Sequence, residues 1–167
     1  MRIKTVMNHN QNDGLLKMIK RTDPMIMKQN RTMKQFDVFI SFSRKDIDVA
    51  DKICAALDKH GITYFIDRKE IGKGEVYNNN TKALSDSKIF LFLACPNSYR
   101  MKHVYNEMIF AKNNDIILLP YIIGGTSLTG TYKLALSDYK CRNIQEHPIE
   151  PVLINDLLEL LGRNQIK

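Results

Sequence analysis

Residues 36–66 read FDVFISFSRKDIDVADKICAALDKHGITYFI. Phe36–Phe42 is a β-branched and aromatic run, the pattern of a buried strand. The spacing that follows predicts a helix from Asp46 to His60. Asp46 is a capping residue type, and Ile47, Ala50, Ile53, Cys54 and Leu57 fall on one apolar stripe. Gly61 stops the helix, and Ile62–Ile66 is again strand-sized. Strand, helix and strand in so short a stretch are the repeating unit of a parallel sheet.

The alternation continues toward the carboxyl end. A polar, glycine-bearing loop, Asp67–Glu75 (DRKEIGKGE), leads to a helix over Val76–Asp86 that three consecutive asparagines weaken. Lys88–Ala94 (KIFLFLA) is a third strand, Pro96 suits the first turn of a helix reaching Lys112, and Ile116–Ile123 is a fourth strand. After Gly124-Gly125 come a loop, a weak helix near Leu128–Leu136 and a short strand around Cys141–Gln145. Pro151 opens a last helix through Leu161, ended by Gly162. The fold class is therefore α/β: a three-layer sandwich with a central parallel sheet of about five strands and helices on both faces. Ligands of such sheets collect at the carboxyl ends of the strands. Those ends are Phe42–Arg44, Asp67–Gly74 and Ala94–Ser98.

At 167 residues and 44% hydrophobic content the chain can bury one sizeable core. No apolar run approaches the ~20 residues that span a bilayer. The amino end lacks the apolar segment of a secretory signal, so a soluble, cytoplasmic protein is expected. Residues 1–35 hold eight Lys/Arg against two acidic residues, +6 of the net +7, which leaves +1 for residues 36–167. The positive charge thus sits in a basic extension, residues 1–34, partly disordered or helical (Leu15, Met18 and Ile19 hint at a short amphipathic turn). Residues 35–163 form the domain and 164–167 a tail. Such an extension either touches nucleic acid or an anionic membrane, or is a solvated leader. With no nucleic-acid module and no basic stripe interleaved with aromatics, no nucleic-acid partner is expected. Cys54, Cys95 and Cys141 lie far apart, and no His cluster has metal spacing. They read as reduced, small hydrophobes, and no metal site is expected.

Four stretches, in order, carry a family resemblance: FDVFISFSRKD, GITYFIDRKEIGKGE, SKIFLFLACPNSYR, and HVYNEMIFAKNN running into IILLPYII. Together they resemble the Toll/interleukin-1 receptor (TIR) domain family, stand-alone bacterial type, over residues 36 to about 162. The resemblance implies a flavodoxin-like fold. It also implies that Asp67, Arg68, Lys69, Glu70, Gly72, Lys73 and Gly74 belong to the BB loop, a self-association segment. Many bacterial members are similar to NAD glycohydrolases or ADP-ribosyl cyclases, with a glutamate on the helix after the third strand. Here that position is Glu107.

The chemistry suits a single carboxylate. The pyridinium of NAD+ leaves as neutral nicotinamide without a general acid, and the ribose passes through an oxocarbenium ion that one carboxylate can orient and stabilise. Helical spacing puts Met101, Val104, Met108 and Ala111 on a core stripe, with Arg100, His103 and Glu107 on the neighbouring face. A helical Glu is otherwise an ordinary solvated residue. The loop after the first strand, Ser41-Phe42-Ser43-Arg44, would form the other half of the pocket. By the resemblance, Phe42, Ser43 and Arg44 contact the dinucleotide. Arg44 is either a bidentate phosphate partner or a surface residue paired with Asp46 or Asp48. Ile71 either covers the nicotinamide end or makes a protein contact.

Two positions depart from the family pattern. His103 stands where many active members carry Trp, and the BB loop has Gly72-Lys73-Gly74 in place of a Pro-Gly step. These glycines are not a phosphate-binding loop, since no G-K-[ST] follows a strand. The expected reaction is NAD+ cleavage to nicotinamide and ADP-ribose or a cyclic isomer, in antiphage defence signalling. NAD+ is then the substrate and no cofactor is required. Expected partners are other TIR domains and a separate effector protein that senses the product. The competing class is a non-catalytic adaptor acting through homotypic contacts. A receiver domain is a poor fit, because Ser-Phe-Ser and Ala-Cys-Pro replace its acidic cluster and phosphoacceptor.

Overall fold

A computed structural model describes residues 34–68, 75–124 and 127–166, without the side chains of 75–78. Residues 1–33 of the expected basic extension, and Lys69, Glu70, Ile71, Gly72, Lys73 and Gly74 of the expected loop, lie outside the described residues.

The strands are β1 (Phe36–Ser41), β2 (Tyr64–Ile66), β3 (Ser87–Ala94), β4 (Ile117–Ile122) and β5 (Arg142–Asn143). They form one sheet in the order β2-β1-β3-β4-β5, with every pairing parallel. The helices are α1 (Ile47–Lys59), α2 (Glu75–Ser85), α3 (Lys102–Asn113), α4 (Gly130–Ala135) and α5 (Ile154–Leu160). This is the flavodoxin-like order, whose topological switch lies between β1 and β3.

Side-chain alternation along the strands builds two cores. Val38 and Ile40 of β1 and Ile89, Leu91 and Leu93 of β3 pack under α1 and α5, against Ile53, Leu57 and Leu157. Phe39, Phe90 and Phe92 face the other way, against Leu84 of α2, Val104 and Met108 of α3, and Tyr132 of α4. Each fully buried Leu, Ile or Phe contributes about 1.5–3 kcal/mol. The central residues of β1 and β3 are buried on both faces, which is why residues 38–40 and 89–94 read as apolar runs.

Asp37, 2% exposed, ties the amino end of β1 to three other segments. Its carboxylate accepts from Lys88 Nζ at 2.8 Å, Arg163 Nη2 at 2.8 Å and the Thr63 N–H at 3.1 Å. Burial pushes this carboxyl up. The opposing bonds from Lys88, Thr63 and Arg163 outweigh it and hold the group below the usual aspartate value.

Several boundaries differ from the sequence expectation. Asp46 makes no side-chain cap to α1, because its Oδ2 accepts from the Cys95 thiol at 2.9 Å instead. β2 begins two residues late, since the Thr63 carbonyl is taken by the N–H groups of both Asp37 and Val38. The helix expected from Pro96 is divided. Ser98 Oγ accepts the Cys95 N–H at 3.0 Å and donates to the Cys95 carbonyl at 2.9 Å, closing a tight turn. Met101 is extended (φ −96°, ψ 107°), and α3 starts only at Lys102. Pro151 lies in a distorted turn, Ile149–Leu153, ahead of α5, because Glu150 is non-helical. Gly61 and Gly162 end α1 and α5 at φ +62° and +67°, conformations that a side chain disfavours.

Candidate active site

The carboxyl ends of β1 and β2 and the first two turns of α3 enclose a cleft. Phe42, Arg44, Asp67, His103 and Glu107 line it, with Ser41 at its base. The cleft is half open, with a volume of ≈ 50 Å³, room for about three or four waters. A dinucleotide would have to lie across its mouth.

Glu107 reaches the cleft because α3 packs through Val104, Met108 and Ala111, which leaves position 107 at the edge of the buried stripe. Ser41 Oγ, at the last position of β1, donates to Glu107 Oε2 at 2.8 Å. Oε1 has no hydrogen bond among the described residues. Burial pushes the Glu107 carboxyl up to about 7; the Ser41 hydrogen bond pulls down and the negative charge of Asp67 adds to the rise. His103, one helical turn earlier, has its imidazole held below the ordinary value, chiefly by burial. The charge of Asp67 opposes that shift, and Arg44 reinforces it. At neutral pH the site therefore offers an uncharged imidazole beside a carboxyl close to its midpoint.

Phe42 is 8% exposed, with part of its ring in the α1–α5 core and part on the cleft wall. Arg44 is exposed and makes no ion pair among the described residues, so it does not pair with Asp46 or Asp48. Ser43 departs from expectation. It is 2% exposed and does not line the cleft. Its carbonyl accepts the Asp46 N–H at 2.8 Å, which turns the chain into α1. Arg68 also turns away, pairing with Asp51 of α1 at 2.6 Å.

Three residues have parts in the cleft that the sequence reading did not give them. Ser41 is buried at 3% exposure on the face covered by α3. Asp67, expected in the self-association loop, is a second carboxylate of the cleft. Asn80, read only as weakening a helix, donates to Asp67 Oδ2 at 2.7 Å. The signal for Ser41 was a small hydroxyl at the end of an otherwise apolar strand. Which helix would cover it was not in the pattern.

A family model for the TIR domain matches residues 38–153, from β1 to the turn before α5. The chain belongs to the TIR domain family. The matched span contains every described residue of the cleft. This TIR domain is similar in structure to the TIR domain of the Toll-related receptor TRR-2 from Hydra magnipapillata. The identity is 15%, over 77% of this chain and 100% of that one, with a TM-score of 0.61. It is also similar to a metazoan TIR-STING receptor from C. gigas, solved in complex with 2',3'-cGAMP. There the identity is 19%, over 80% of this chain and 41% of that one, with a TM-score of 0.60. At such identities the likeness is one of fold. No curated protein matches the chain in sequence.

Proposed function

We propose that this TIR domain is an NAD+ nucleosidase, with Glu107 as its catalytic carboxylate. The observation that carries the reading is the position of Glu107. It is a half-buried carboxyl at the carboxyl rim of a parallel sheet, hydrogen-bonded through one oxygen and, among the described residues, without such a bond at the other, in a cleft shared with Arg44 and His103. A carboxyl partly withdrawn from water at a cleft is a costly arrangement unless chemistry uses it.

In the proposed reaction the bond between ribose C1′ and the nicotinamide nitrogen breaks, and its electron pair leaves with the ring, which becomes neutral. The ionised Glu107 orients the ribose hydroxyls and stabilises the oxocarbenium ion. Water adds at C1′ and gives up a proton, which a carboxylate with a midpoint of about 7 is suited to accept, yielding ADP-ribose. Capture by an adenine nitrogen yields a cyclic isomer instead. Arg44 binds the diphosphate, Phe42 forms the wall, and His103 stacks on the nicotinamide or adenine ring in neutral form. NAD+ is the substrate and no cofactor takes part.

A small, half-open cleft fits a site completed by a second copy of the chain, so activity should rise steeply with protein concentration. The product would be sensed by a separate effector in antiphage signalling. No helix among the described residues is long and apolar enough to cross a membrane. The test is nicotinamide release from NAD+ by concentrated protein, followed by chromatography beside Glu107→Ala. Release that the variant abolishes supports the enzyme. Absence of release at high protein concentration transfers the assignment to a homotypic adaptor.

A further inference from the structure

The described part of the domain buries four serines, Ser41, Ser43, Ser87 and Ser98, at 3% exposure or less. A buried hydroxyl needs a partner, and a backbone carbonyl is the usual one. Ser87 donates to the Ala83 carbonyl at 2.6 Å and Ser98 to the Cys95 carbonyl at 2.9 Å. Ser41 does otherwise. Its hydroxyl crosses from β1 to α3, between residues 66 apart in sequence, and ends on a carboxylate oxygen. It also occupies a two-sided buried strand, where a β-branched or aromatic residue would pack better.

We propose that Ser41 is a positioning residue for NAD+ cleavage: its hydroxyl fixes Oε2 of Glu107 and so presents Oε1 to the ribose. The proposal rests on the nucleosidase reading above. The geometry behind it is a rigid one. Ser41 is paired in the sheet with Phe92 of β3, on a central strand, and its side chain has one χ1 torsion to set. Glu107 has three, and a single charge-assisted hydrogen bond at 2.8 Å removes most of their freedom. Productive catalysis requires the reacting groups to be held within a fraction of an ångström.

The bond also bears on protonation, since a donor to a carboxylate favours the charged form. Other groups act on Glu107 or on its neighbourhood: Asp67 at the end of β2, Arg44 after β1, His103 on α3 and Tyr132 on α4. Asp67 opposes ionisation of Glu107 and Ser41 favours it. Removing the hydroxyl leaves burial and Asp67 without that counterweight.

The experiment uses the full chain. NAD+ cleavage is followed from about pH 5.5 to 8.5, across the Glu107 midpoint, for wild type, Ser41→Ala and Ser41→Thr. The Glu107 carboxyl is titrated by carbon NMR in the same proteins. Ser41→Ala should move the acid limb of kcat/KM and the NMR midpoint up by about one pH unit, the size expected for one hydrogen bond to a charged group. Its kcat should fall about tenfold near the midpoint with little change in KM, and Ser41→Thr should restore both. A loss that is equal at every pH, with the NMR midpoint unmoved, overturns the proposal and leaves Ser41 a packing residue. If wild type itself releases no nicotinamide, the nucleosidase reading fails. The NMR titration then still reports whether Ser41 holds the carboxyl.

Discussion

The carboxyl groups of Asp67 and Glu107 line one cleft, the first carried there by the end of β2 and the second by α3. Asn80 steadies Asp67 through a 2.7 Å bond to Oδ2. Two negative charges in a partly desolvated space cannot both be cheap, and Asp67 adds to the rise that burial gives Glu107. Asp67→Asn should therefore lower the Glu107 midpoint below about 7, while burial, the larger cause, still holds it above the ordinary glutamate value. Carboxyl NMR titration measures this directly, and an unmoved midpoint would leave burial as the whole cause.

Glu107 should cost stability at alkaline pH. Its carboxyl titrates at about 7 in the fold against 4.5 unperturbed, so between those values the folded chain holds a proton that the unfolded chain has released. Stability falls as pH rises through that window. The gap corresponds to about 3 kcal/mol. Glu107→Gln, uncharged at all pH, should stabilise the domain at pH 8 by up to this amount and give no gain at pH 4. Urea denaturation at the two pH values checks the sign as well as the size. An equal effect at both would rule out the linkage.

Asp37 carries the opposite dependence. Its carboxyl is held below the ordinary value, so it contributes stability above the unfolded pKa that is lost as pH falls through the folded one. Asp37→Ala strands Lys88 and Arg163, whose side chains are 44% and 39% exposed. Water can partly compensate them, so a cost of about 2–3 kcal/mol at pH 7 is expected, below the range for fully buried pairs. The difference from wild type should shrink at pH 3. Thermal melts at both pH values read it out.

Arg44 tests the substrate. On the nucleosidase reading, Arg44→Ala removes a diphosphate contact made in ground and transition states alike. KM for NAD+ should rise about tenfold with kcat little changed. A KM that stays put would remove Arg44 from the binding surface.

Sequence patterning exposed the frame of this domain better than its site. β1, β3 and β4 were plain because the central residues of a covered parallel sheet are mostly apolar. The start of α3 was misplaced because Ser98 and Cys95 exchange hydrogen bonds that no propensity encodes. Glu107 was reachable from helical spacing joined to the family resemblance. Ser43 lies elsewhere than the resemblance implied: past the end of β1, its backbone turns the chain into α1 and its side chain is buried off the cleft. Ser41, Asp67 and Asn80 meet only through tertiary packing, between segments that local sequence leaves unrelated.

β1 is pinned at both extremities, by the Asp37 clamp at one and by the Ser41–Glu107 bond at the other. Because side chains alternate, a slip of one residue would bury the hydroxyl under α1 and turn Ile40 or Phe42 toward Glu107. The cleft therefore cannot loosen on its β1 side without the sheet unzipping. Amide hydrogen exchange along residues 38–41 should track global unfolding, and whatever breathing admits a ligand must be borne by the opposite wall.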